Sequence, residues 1–409
     1  MGKKGNILAG LDIGTTKVCA IVAEVTDDSK ISIVGTGISP SKGLRKGVVI
    51  NIEETVESIK KAVHEAELMA GVEIKNVYTG IAGSHIQGFN SRGVVAVKNQ
   101  EVIRADIERA VEAAKAIAIP PDREILHVIP QEFIIDGQDG IKNPLGISGV
   151  RLEVLVHIIT GAITSAQNIV KSVNKAGLEV MDIILQPLAS SEAVLTSDEK
   201  ELGVALIDIG GGTTDLAIFV NGAVSHTAVI GIGGNHLTND IAVGVRTPSA
   251  EAERLKIKYG CALRSLVREN GAIEVKSVGG RPPRLLTRHE LADILEPRAE
   301  EIFAFATREI KKVNHAEMLS SGIVLTGGSS VMEGMVDIAE KITGMPARKG
   351  APANIGGLAD NVSHPMYATG VGILLYAIQQ QGTEDRRFRN GRLFENIYYR
   401  MKGWFKEFF

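Results

Sequence analysis

Apolar runs broken by short polar turns open each half of the chain. Residues 11–25 read LDIGTTKVCAIVAEV and residues 207–220 read IDIGGGTTDLAIFV, so both carry Asp-Ile-Gly and small hydroxyl residues between two apolar runs. Because glycine permits backbone angles that are closed to other residues, each stretch predicts strand, tight turn, strand. The second stretch continues through Asn221-Gly222, a strong hairpin signal, into a further apolar run. We therefore predict an antiparallel meander at the start of each half.

Other stretches have the spacing of amphipathic helices. Residues 51–71 carry Asn51 and Glu54 at capping-box spacing and Gly71 as a stop. Residues 249–260 have Ser249 as a candidate N-cap, with acidic residues in the first turn. Residues 368–378 are small and apolar. These patterns predict helices between the strands.

A small α+β module is predicted in the first half. Apolar patterns indicate strands at 94–97, 124–135 and 151–161. Between the first two lies ADIERAVEAAKAIA, a helical pattern that ends before Pro120-Pro121.

Composition limits the class of protein. The chain has 409 residues, 44% hydrophobic, and a formal net charge of -3, which suits a globular protein and does not indicate a nucleic-acid partner. Its two cysteines, Cys19 and Cys261, form neither a disulfide framework nor a zinc motif, so we expect packed thiols in a reducing cytoplasm. The apolar run near the start reaches Asp12 too soon for a signal peptide or a spanning helix.

The two glycine turns suit a nucleotide phosphate site. Glycine turns expose backbone N–H groups to phosphate oxygens, and neighbouring hydroxyls and a lysine add donors. Carboxylates at the strand ends can hold the water shell of Mg²⁺. One such loop alone would equally suit an ordinary hairpin, but two copies favour ATP with Mg²⁺ between them. The candidates are Gly14, Thr15, Thr16, Lys17, Gly210, Gly211, Gly212, Thr213 and Thr214 for phosphate, and Asp12 and Asp208 for the metal ion.

A third glycine turn, in GIVLTGGSSVMEGM at 322–335, suits an adenine ring. Gly327 and Gly328 would let the ring approach the backbone, and Ser329 and Ser330 are candidate caps of a following helix. In the 249–260 helix, Glu253 and Lys256 could reach the ribose and the base. The alternative for these two side chains is a solvated helix face.

The last residues have an unusual aromatic content. Residues 393–409, LFENIYYRMKGWFKEFF, hold seven of the chain's seventeen aromatic residues. At helical spacing one stripe is apolar and cations predominate opposite it, behind a polar stretch that resembles a linker. We predict a helix that binds anionic lipid, and the alternative is packing against the body or another protein. The membrane candidates are Phe394, Ile397, Tyr398, Met401, Trp404, Phe405, Phe408 and Phe409.

The ordered glycine turns, with TGGSS and the final small-residue helix, resemble the actin, Hsp70 and hexokinase superfamily. Within it, VIPQEFIIDGQDGIKNPLGISGVRLEV at 128–154 and SVGGRPPRLL at 277–286 resemble the bacterial cell-division FtsA family. The resemblance implies an α/β, two-lobed actin-like (ribonuclease H-like) fold with an inserted α+β subdomain and a C-terminal amphipathic helix. The implied units are subdomain 1A (1–83, 164–195 and 366–380), 1C (84–163), 2A (196–232 and 311–365), 2B (233–310), a flexible linker (381–392) and the membrane-targeting helix (393–409).

The resemblance also implies roles for particular residues. Gln186 occupies the position that orients the attacking water, with helix capping as the alternative; an amide is a poor general base, so we expect at most slow ATP hydrolysis. Residues Gly233, Gly234 and Asn235 are expected at the nucleotide. Arg298 is expected to bind the C-terminal tail of the tubulin-like protein FtsZ and Arg284 to regulate assembly, although ordinary ion pairs are the alternative for both.

The implied partners are FtsZ, further copies of the chain in actin-like filaments, anionic inner-membrane lipids, and later division proteins through subdomain 1C. The expected location is the cytoplasmic face of the inner membrane at the division site. Three rival functions remain: a PilM-like pilus-assembly protein, a sugar kinase, for which no substrate motif is seen, and an Hsp70-like chaperone, for which no peptide-binding domain follows.

Overall fold

The computed structural model describes residues 6–26, 30–268, 271–279, 282–313 and 318–388. The first part of the chain forms a three-stranded meander, a small hairpin, a long helix and a further strand. These elements are β1 (Asn6–Ile13), β2 (Lys17–Val25), β3 (Ile31–Pro40), β4 (Leu44–Arg45), β5 (Val48–Val49), α1 (Ile52–Ala70) and β6 (Asn76–Ile81).

The helix α1 confirms the sequence prediction at both ends. The Asn51 side chain accepts a hydrogen bond from the backbone N–H of Glu54, and Gly71 adopts the left-handed conformation with φ of 67°. The predicted apolar face is buried, with Ile59 fully enclosed. Capping and burial together fix where this helix begins and ends.

The inserted module is a four-stranded antiparallel sheet with one helix on one face. The module has its own hydrophobic core, which is separate from the cores of the two main sheets. Helix and sheet approach closely because residue 93 is glycine: a Cβ there would lie 1.9 Å from the Ala110 carbonyl oxygen. The first strand is longer than predicted. The elements are β7 (Gln87–Ala96), α2 (Arg104–Lys115), β8 (Arg123–Ile135), β9 (Gln138–Ile141) and β10 (Arg151–Ala162).

After the insertion the chain returns to the first sheet and then begins the second. Leu178, Val180 and Leu185 enter the first core, while Ala205, Ile207 and Ile209 enter the second. The elements are α3 (Ile163–Lys175), β11 (Glu179–Leu185), α4 (Gln186–Val194), α5 (Ser197–Leu202), β12 (Val204–Ile209), β13 (Thr214–Val220) and β14 (Ala223–Ile230).

The next segment forms a largely separate helical unit with a two-stranded hairpin. Its core includes Leu237, Leu255 and Leu291. The elements are α6 (Gly234–Val245), α7 (Ser249–Tyr259), β15 (Ala272–Val275), β16 (Arg284–Thr287) and α8 (Arg288–Ile310).

Helix α8 belongs to two cores. Leu295 packs in the core of the 2B segment, whereas Phe303 and Ala306 pack beneath the second main sheet. The predicted end of 2B at residue 310 coincides with the end of α8. The last turns of α8 nevertheless pack in the core of the second main sheet.

The prediction that Ser249 caps its helix is wrong. Ser249 is already the first residue of α7, and Pro248 is the N-cap without a side-chain bond. The reason is that the Pro248 carbonyl accepts the first turn's N–H groups, from Glu251 and Ala252 at 2.9 Å each, so the helix starts one residue early.

The last described segment completes the second sheet and ends on a long helix. The predicted caps Ser329 and Ser330 instead lie inside a 3-10 turn, Gly328–Val331, where the Ser330 hydroxyl donates to the Gly327 carbonyl. A left-handed Gly334 with φ of 80° then separates this turn from the next α-helix. The elements are β17 (Ile323–Thr326), α9 (Met335–Thr343), β18 (Ala347–Lys349), β19 (Gly356–Gly357) and α10 (Ala368–Phe388).

The two main sheets share one topology. The first has the order β11-β6-β1-β2-β3-β19 and the second β14-β13-β12-β17-β18. In each, an antiparallel meander is followed by parallel strands beside its first strand. The predicted meanders are confirmed. The repeated sheet places the turns β1–β2 and β12–β13 at equivalent positions in two lobes.

The C-terminal helix is longer than the sequence prediction. Helix α10 continues through Phe388, so residues 381–388 are helical where a flexible linker was predicted. This stretch has no proline and one glycine, and helix propensity accounts for the continuation. The predicted anchor at 393–409 lies outside the described residues. Among those described, no helix has both the length and the apolarity to cross a membrane.

Candidate nucleotide site

The turns β1–β2 and β12–β13 touch each other across the two lobes. A Cβ on Gly211 would lie 2.3 Å from Cγ2 of Thr16, and one on Gly212 would lie 2.5 Å from Oγ1 of Thr15. Glycine at these positions is therefore what lets the turns meet. Among the described residues, the backbone N–H groups of these four residues have no hydrogen-bond acceptor. Unpaired N–H groups from two opposed turns suit a phosphate chain.

The first turn pairs its charges. Asp12, at the end of β1, is buried, and its Oδ2 lies 3.2 Å from Nζ of Lys17. The Nε2 group of Gln186, the first residue of α4, donates to Oδ1 of Asp12 over 3.2 Å. Burial is the largest single influence and lowers the pKa of Lys17, but Asp12, together with Cys19 and Asp208, raises the pKa above its ordinary value. Gln186 thus contacts the predicted metal ligand and does not cap its helix.

The second turn holds its carboxylate by hydroxyl groups. Ser190 donates to Oδ2 of Asp208 over 2.6 Å, and Thr369 donates to the same oxygen over 3.2 Å. Burial raises the pKa of Asp208, and these hydroxyl bonds only partly oppose the effect. Gly327 passes close by, because a Cβ there would lie 2.3 Å from Oδ1 of Asp208. The turn predicted to bind adenosine and the second turn predicted to bind phosphate therefore meet at this carboxylate.

Sequence reasoning missed Asp215. It lies opposite Asp208 across β12 and β13, is buried, and accepts a bond from the Thr213 hydroxyl at 3.1 Å. Its Oδ1 atom has no partner among the described residues. Burial, and then the nearby charge of Asp208, raise the pKa of Asp215 well above its ordinary value. An acidic residue inside the apolar stretch DLAIFV was the available signal.

The predicted hydroxyl donors of the second turn face inward. Thr213 donates to Asp215, and Thr214 is buried and donates to the Ile232 carbonyl at 2.8 Å. That both hydroxyls bind the phosphates stays a prediction, since in this structure each donates to a protein oxygen. The backbone N–H groups of Gly211 and Gly212, in contrast, have no acceptor among the described residues.

The N-cap and first residues of α6 are bonded to the second turn. The N–H of Gly234 donates to the Gly210 carbonyl at 2.9 Å, and that of Asn235 donates to the Gly211 carbonyl at 2.8 Å. A Cβ on Gly233 would lie 2.6 to 2.9 Å from three backbone oxygens of this turn. The start of α6 and the β12–β13 turn are therefore directly connected.

Three residues predicted to bind adenosine, Glu253, Lys256 and Ser329, lie beside the start of α6. The Lys256 ammonium donates to the Gly234 carbonyl at 3.0 Å and to Thr238 at 2.9 Å, and it pairs with Glu253 at 2.8 Å. The Ser329 hydroxyl lies 3.4 Å from the Gly210 carbonyl oxygen. Lys256 is largely buried, whereas the Glu253 side chain is 42% exposed, so the solvated-face alternative fails for Lys256 and remains for Glu253.

Two family models match the chain. "Cell division protein FtsA" matches residues 205–372, and "SHS2 domain inserted in FTSA" matches residues 83–160. The chain is 53% identical over 379 residues to the cell division protein FtsA of Pseudomonas aeruginosa, covering 93% of this chain and 91% of the relative. This chain belongs to the FtsA family. The resemblance seen in the sequence is thereby confirmed, and the protein is a cell-division protein of this family.

Solved structures show the fold of this FtsA-family chain. The PilM-PilN type IV pilus biogenesis complex matches with a TM-score of 0.65 at 16% identity, covering 91% of this chain and 98% of that chain. MreB5 of Spiroplasma citri bound to ADP matches with a TM-score of 0.58 at 15% identity, covering 94% and 99%. At such identities the likeness concerns the fold alone. The predicted actin-like α/β fold with an inserted module is confirmed, and the pilus alternative gains no functional support.

The predicted partner residues of this FtsA-family chain lie away from the turns. Arg298 donates to both oxygens of Asp240, at 2.7 and 3.1 Å, and also pairs with Glu301. With Ile294 and Pro297 these residues line a surface pocket of about 280 Å³. Arg284 is not among the lining residues of this pocket: it is exposed in β16, opposite Val275.

The residues between the turns fit a hydrated magnesium ion with a nucleotide. Asp12 and Asp208 each place a buried carboxylate at the strand end before one of the two turns, and Oδ1 of Asp215, which has no partner in the described part of the chain, adds a third acceptor. In the described part of the chain no group of three or more His, Cys, Asp or Glu is placed to hold a metal ion directly. A fit through water is consistent with the preference of Mg²⁺ for keeping its hydration.

Proposed function

We propose that this FtsA-family protein binds Mg-ATP between the β1–β2 and β12–β13 turns and that the bound nucleotide controls its assembly into filaments. The observation that carries the proposal is the contact of Gly211 and Gly212 with Thr16 and Thr15, which places unpaired N–H groups of both lobes around one gap. A phosphate chain there would be bound by both lobes at once, so nucleotide occupancy would favour the closed arrangement.

Hydrolysis is proposed to be slow. The amide of Gln186 can orient a water molecule beside Asp12, but it cannot accept a proton near neutral pH. Mg²⁺ would be held by Asp12 and Asp208 through water and would neutralise phosphate charge. Slow turnover suits a protein whose bound nucleotide acts as a switch.

The membrane and FtsZ complete the proposed function. Residues 393–409 would bind anionic lipid of the inner membrane, and the Arg298 pocket would bind the FtsZ tail, so that the protein tethers FtsZ filaments at the division site. Arg298 is already paired with Asp240, so an incoming carboxylate must compete for the guanidinium or share it. Subdomain 1C would bind later division proteins.

A liposome experiment tests this function. FtsZ filaments and the full-length protein are mixed with anionic vesicles, with ATP or without nucleotide, and vesicle-bound FtsZ is measured by flotation. We expect recruitment with ATP, and none by the variant Trp404→Glu, which should still bind ATP. Tyr399→Glu adds the same charge outside the predicted apolar stripe and serves as the matched control. Equal flotation of the Trp404→Glu variant would contradict the membrane assignment.

The FtsZ contact has its own test. Binding of an FtsZ tail peptide is measured by fluorescence anisotropy for Arg298→Ala and for Arg264→Ala. Arg264 is a matched control because it pairs with both oxygens of Asp293 at 2.6 Å in the same 2B segment but lies outside the Arg298 pocket. We expect about tenfold weaker binding for Arg298→Ala and less than about twofold for the control. Equal affinities for both variants would exclude the pocket.

A further inference from the structure

A small hairpin beside the first phosphate turn has a strained tip. Strands β4 and β5 are joined by Lys46 and Gly47, with φ of 50° and 76° respectively. A left-handed conformation is natural for glycine but uncommon for lysine. Such a residue persists where its surroundings hold it in place, and these positions concentrate at functional sites.

The hairpin tip is fixed to the first phosphate turn. The N–H of Gly47 donates to Oγ1 of Thr15 at 3.1 Å. On its other side, a Cβ on Gly47 would lie 2.9 Å from the Ala82 carbonyl oxygen, so the tip is also packed against the end of β6. The position of Lys46 is therefore determined by the same residue that meets Gly212 of the second lobe.

The Lys46 side chain crosses to the second lobe. Its Nζ atom lies 3.8 Å from where a Cβ on Gly231 would be. Gly231 comes two residues before Gly233, the N-cap of α6. The pKa of His236, in the first turn of α6, is lowered by burial and then by the positive charge of Lys46. This agrees with a Lys46 side chain that extends toward the second lobe. Among the described residues, Lys46 has neither a hydrogen bond nor an ion pair.

The charges of the cleft call for another cation. Lys17 is already paired with Asp12, while Asp208 and Asp215 are buried without any cationic partner among the described residues. A triphosphate adds several negative charges to this site. Magnesium and one unpaired lysine at the edge of the gap would offset them.

We propose that Lys46 binds the terminal phosphate of the nucleotide and thereby links the two lobes when a triphosphate is present. The proposal rests on the proposed ATP site. Adenosine is expected at the end formed by Lys256 and Ser329, and a nucleotide running from there to the gap at Thr15 would present its last phosphate to Lys46. A diphosphate would end short of this side chain. Lys46 would thus distinguish ATP from ADP.

The test measures affinity for two nucleotides. Equilibrium binding of ATP and of ADP, each with Mg²⁺, is measured by isothermal titration calorimetry for the full-length protein and for Lys46→Gln, Lys46→Arg and Arg45→Gln. Arg45 is exposed in the same hairpin, so its variant loses an equal charge next to the site. Lys46→Gln should weaken ATP binding by about tenfold to a hundredfold and ADP binding by less than about threefold. Lys46→Arg should restore ATP binding, and Arg45→Gln should change neither.

Each outcome decides one question. Unchanged ATP affinity of Lys46→Gln overturns the proposal, as does an equal loss for ATP and ADP or an equal effect of Arg45→Gln. Absence of ATP binding by the unaltered protein would instead overturn the proposed function. Misfolding is excluded by comparing thermal unfolding of the variants, and Lys46→Gly, which suits the left-handed conformation, provides a second neutral variant with the same expected loss.

Discussion

The two phosphate turns have nearly the same sequence pattern but balance their charges differently. In the first, Asp12 is paired with Lys17 and receives a bond from Gln186. In the second, Asp208 receives bonds from two hydroxyls, and Asp215 beside it keeps one oxygen without a partner among the described residues. The carboxylate of the first turn therefore has a cationic partner, whereas the second turn has two buried carboxyl groups with no ion pair among the described residues.

The two similar hairpins therefore differ in how much their carboxylates would be stabilised by a bound cation. A carboxylate held by hydroxyls in a buried position gains most from a cation, since burial penalises its charged form. We infer that metal and nucleotide stabilise the second turn more than the first. In the proposed site, the first turn, with Gln186 and the neighbouring Lys46, would supply the groups closest to the terminal phosphate.

The largest effect is expected when alanine replaces Gly233, which packs against the second turn, compared with Gly14 of the first turn. Gly233→Ala would bring a Cβ within 2.6 to 2.9 Å of three backbone oxygens, whereas a Cβ at Gly14 meets only the Lys17 carbonyl oxygen at 3.0 Å. We expect Gly233→Ala to weaken ATP binding by about a hundredfold, because backbone rather than a side chain must shift. Gly14→Ala should lose less than about threefold, as measured by calorimetry. Equal losses would contradict the conclusion that close backbone packing against the second turn makes Gly233 the more sensitive position.

The next test removes buried charge from the second lobe. At pH values between the ordinary and the raised pKa, Asp215 keeps its proton in the folded protein but has lost it in the unfolded protein. Between the ordinary and the raised pKa, the free energy of unfolding therefore falls as pH rises. Asp215→Asn should remove much of this pH dependence and stabilise the metal-free protein at high pH by about 2 kcal/mol. Urea unfolding in EDTA at several pH values measures it.

The control for Asp215 is a carboxylate on the surface. Asp139→Asn changes an exposed residue of β9 and should leave the pH dependence of unfolding as it is. A stability profile of Asp215→Asn that parallels that of the unaltered protein would contradict the assignment of buried charge to the second turn.

The smallest effect is expected from the residues that contact the two carboxylates. Gln186→Ala should slow single-turnover ATP hydrolysis by about tenfold and change ATP affinity by less than about twofold. Ser190→Ala should instead lower stability by about 1–2 kcal/mol, because the buried Asp208 loses a bond of 2.6 Å. Quench-flow and urea unfolding separate the two. If Ser190→Ala slowed hydrolysis as much as Gln186→Ala, the division of roles between the lobes would be wrong.

Local patterns predicted much of the fold. The meanders, the ends of α1 and the strands of the inserted module follow from glycine turns, apolar periodicity and capping residues, which act over a few residues. The caps proposed at Ser249 and Ser329 were wrong because carbonyls and glycines nearby shift each start by a few residues. The end of α10 was also misplaced, since polar composition alone does not end a helix.

The sequence alone indicates that two Asp-Ile-Gly turns exist, that each joins two strands, and that the second turn has three glycines at its tip. Only the tertiary structure decided that Thr213 and Thr214 turn inward, that Asp215 is buried beside Asp208, and that Lys46 reaches the second lobe. The physical reason is that a turn depends on neighbouring residues in the chain, whereas the partner of a charge depends on packing between distant segments, which no local pattern records.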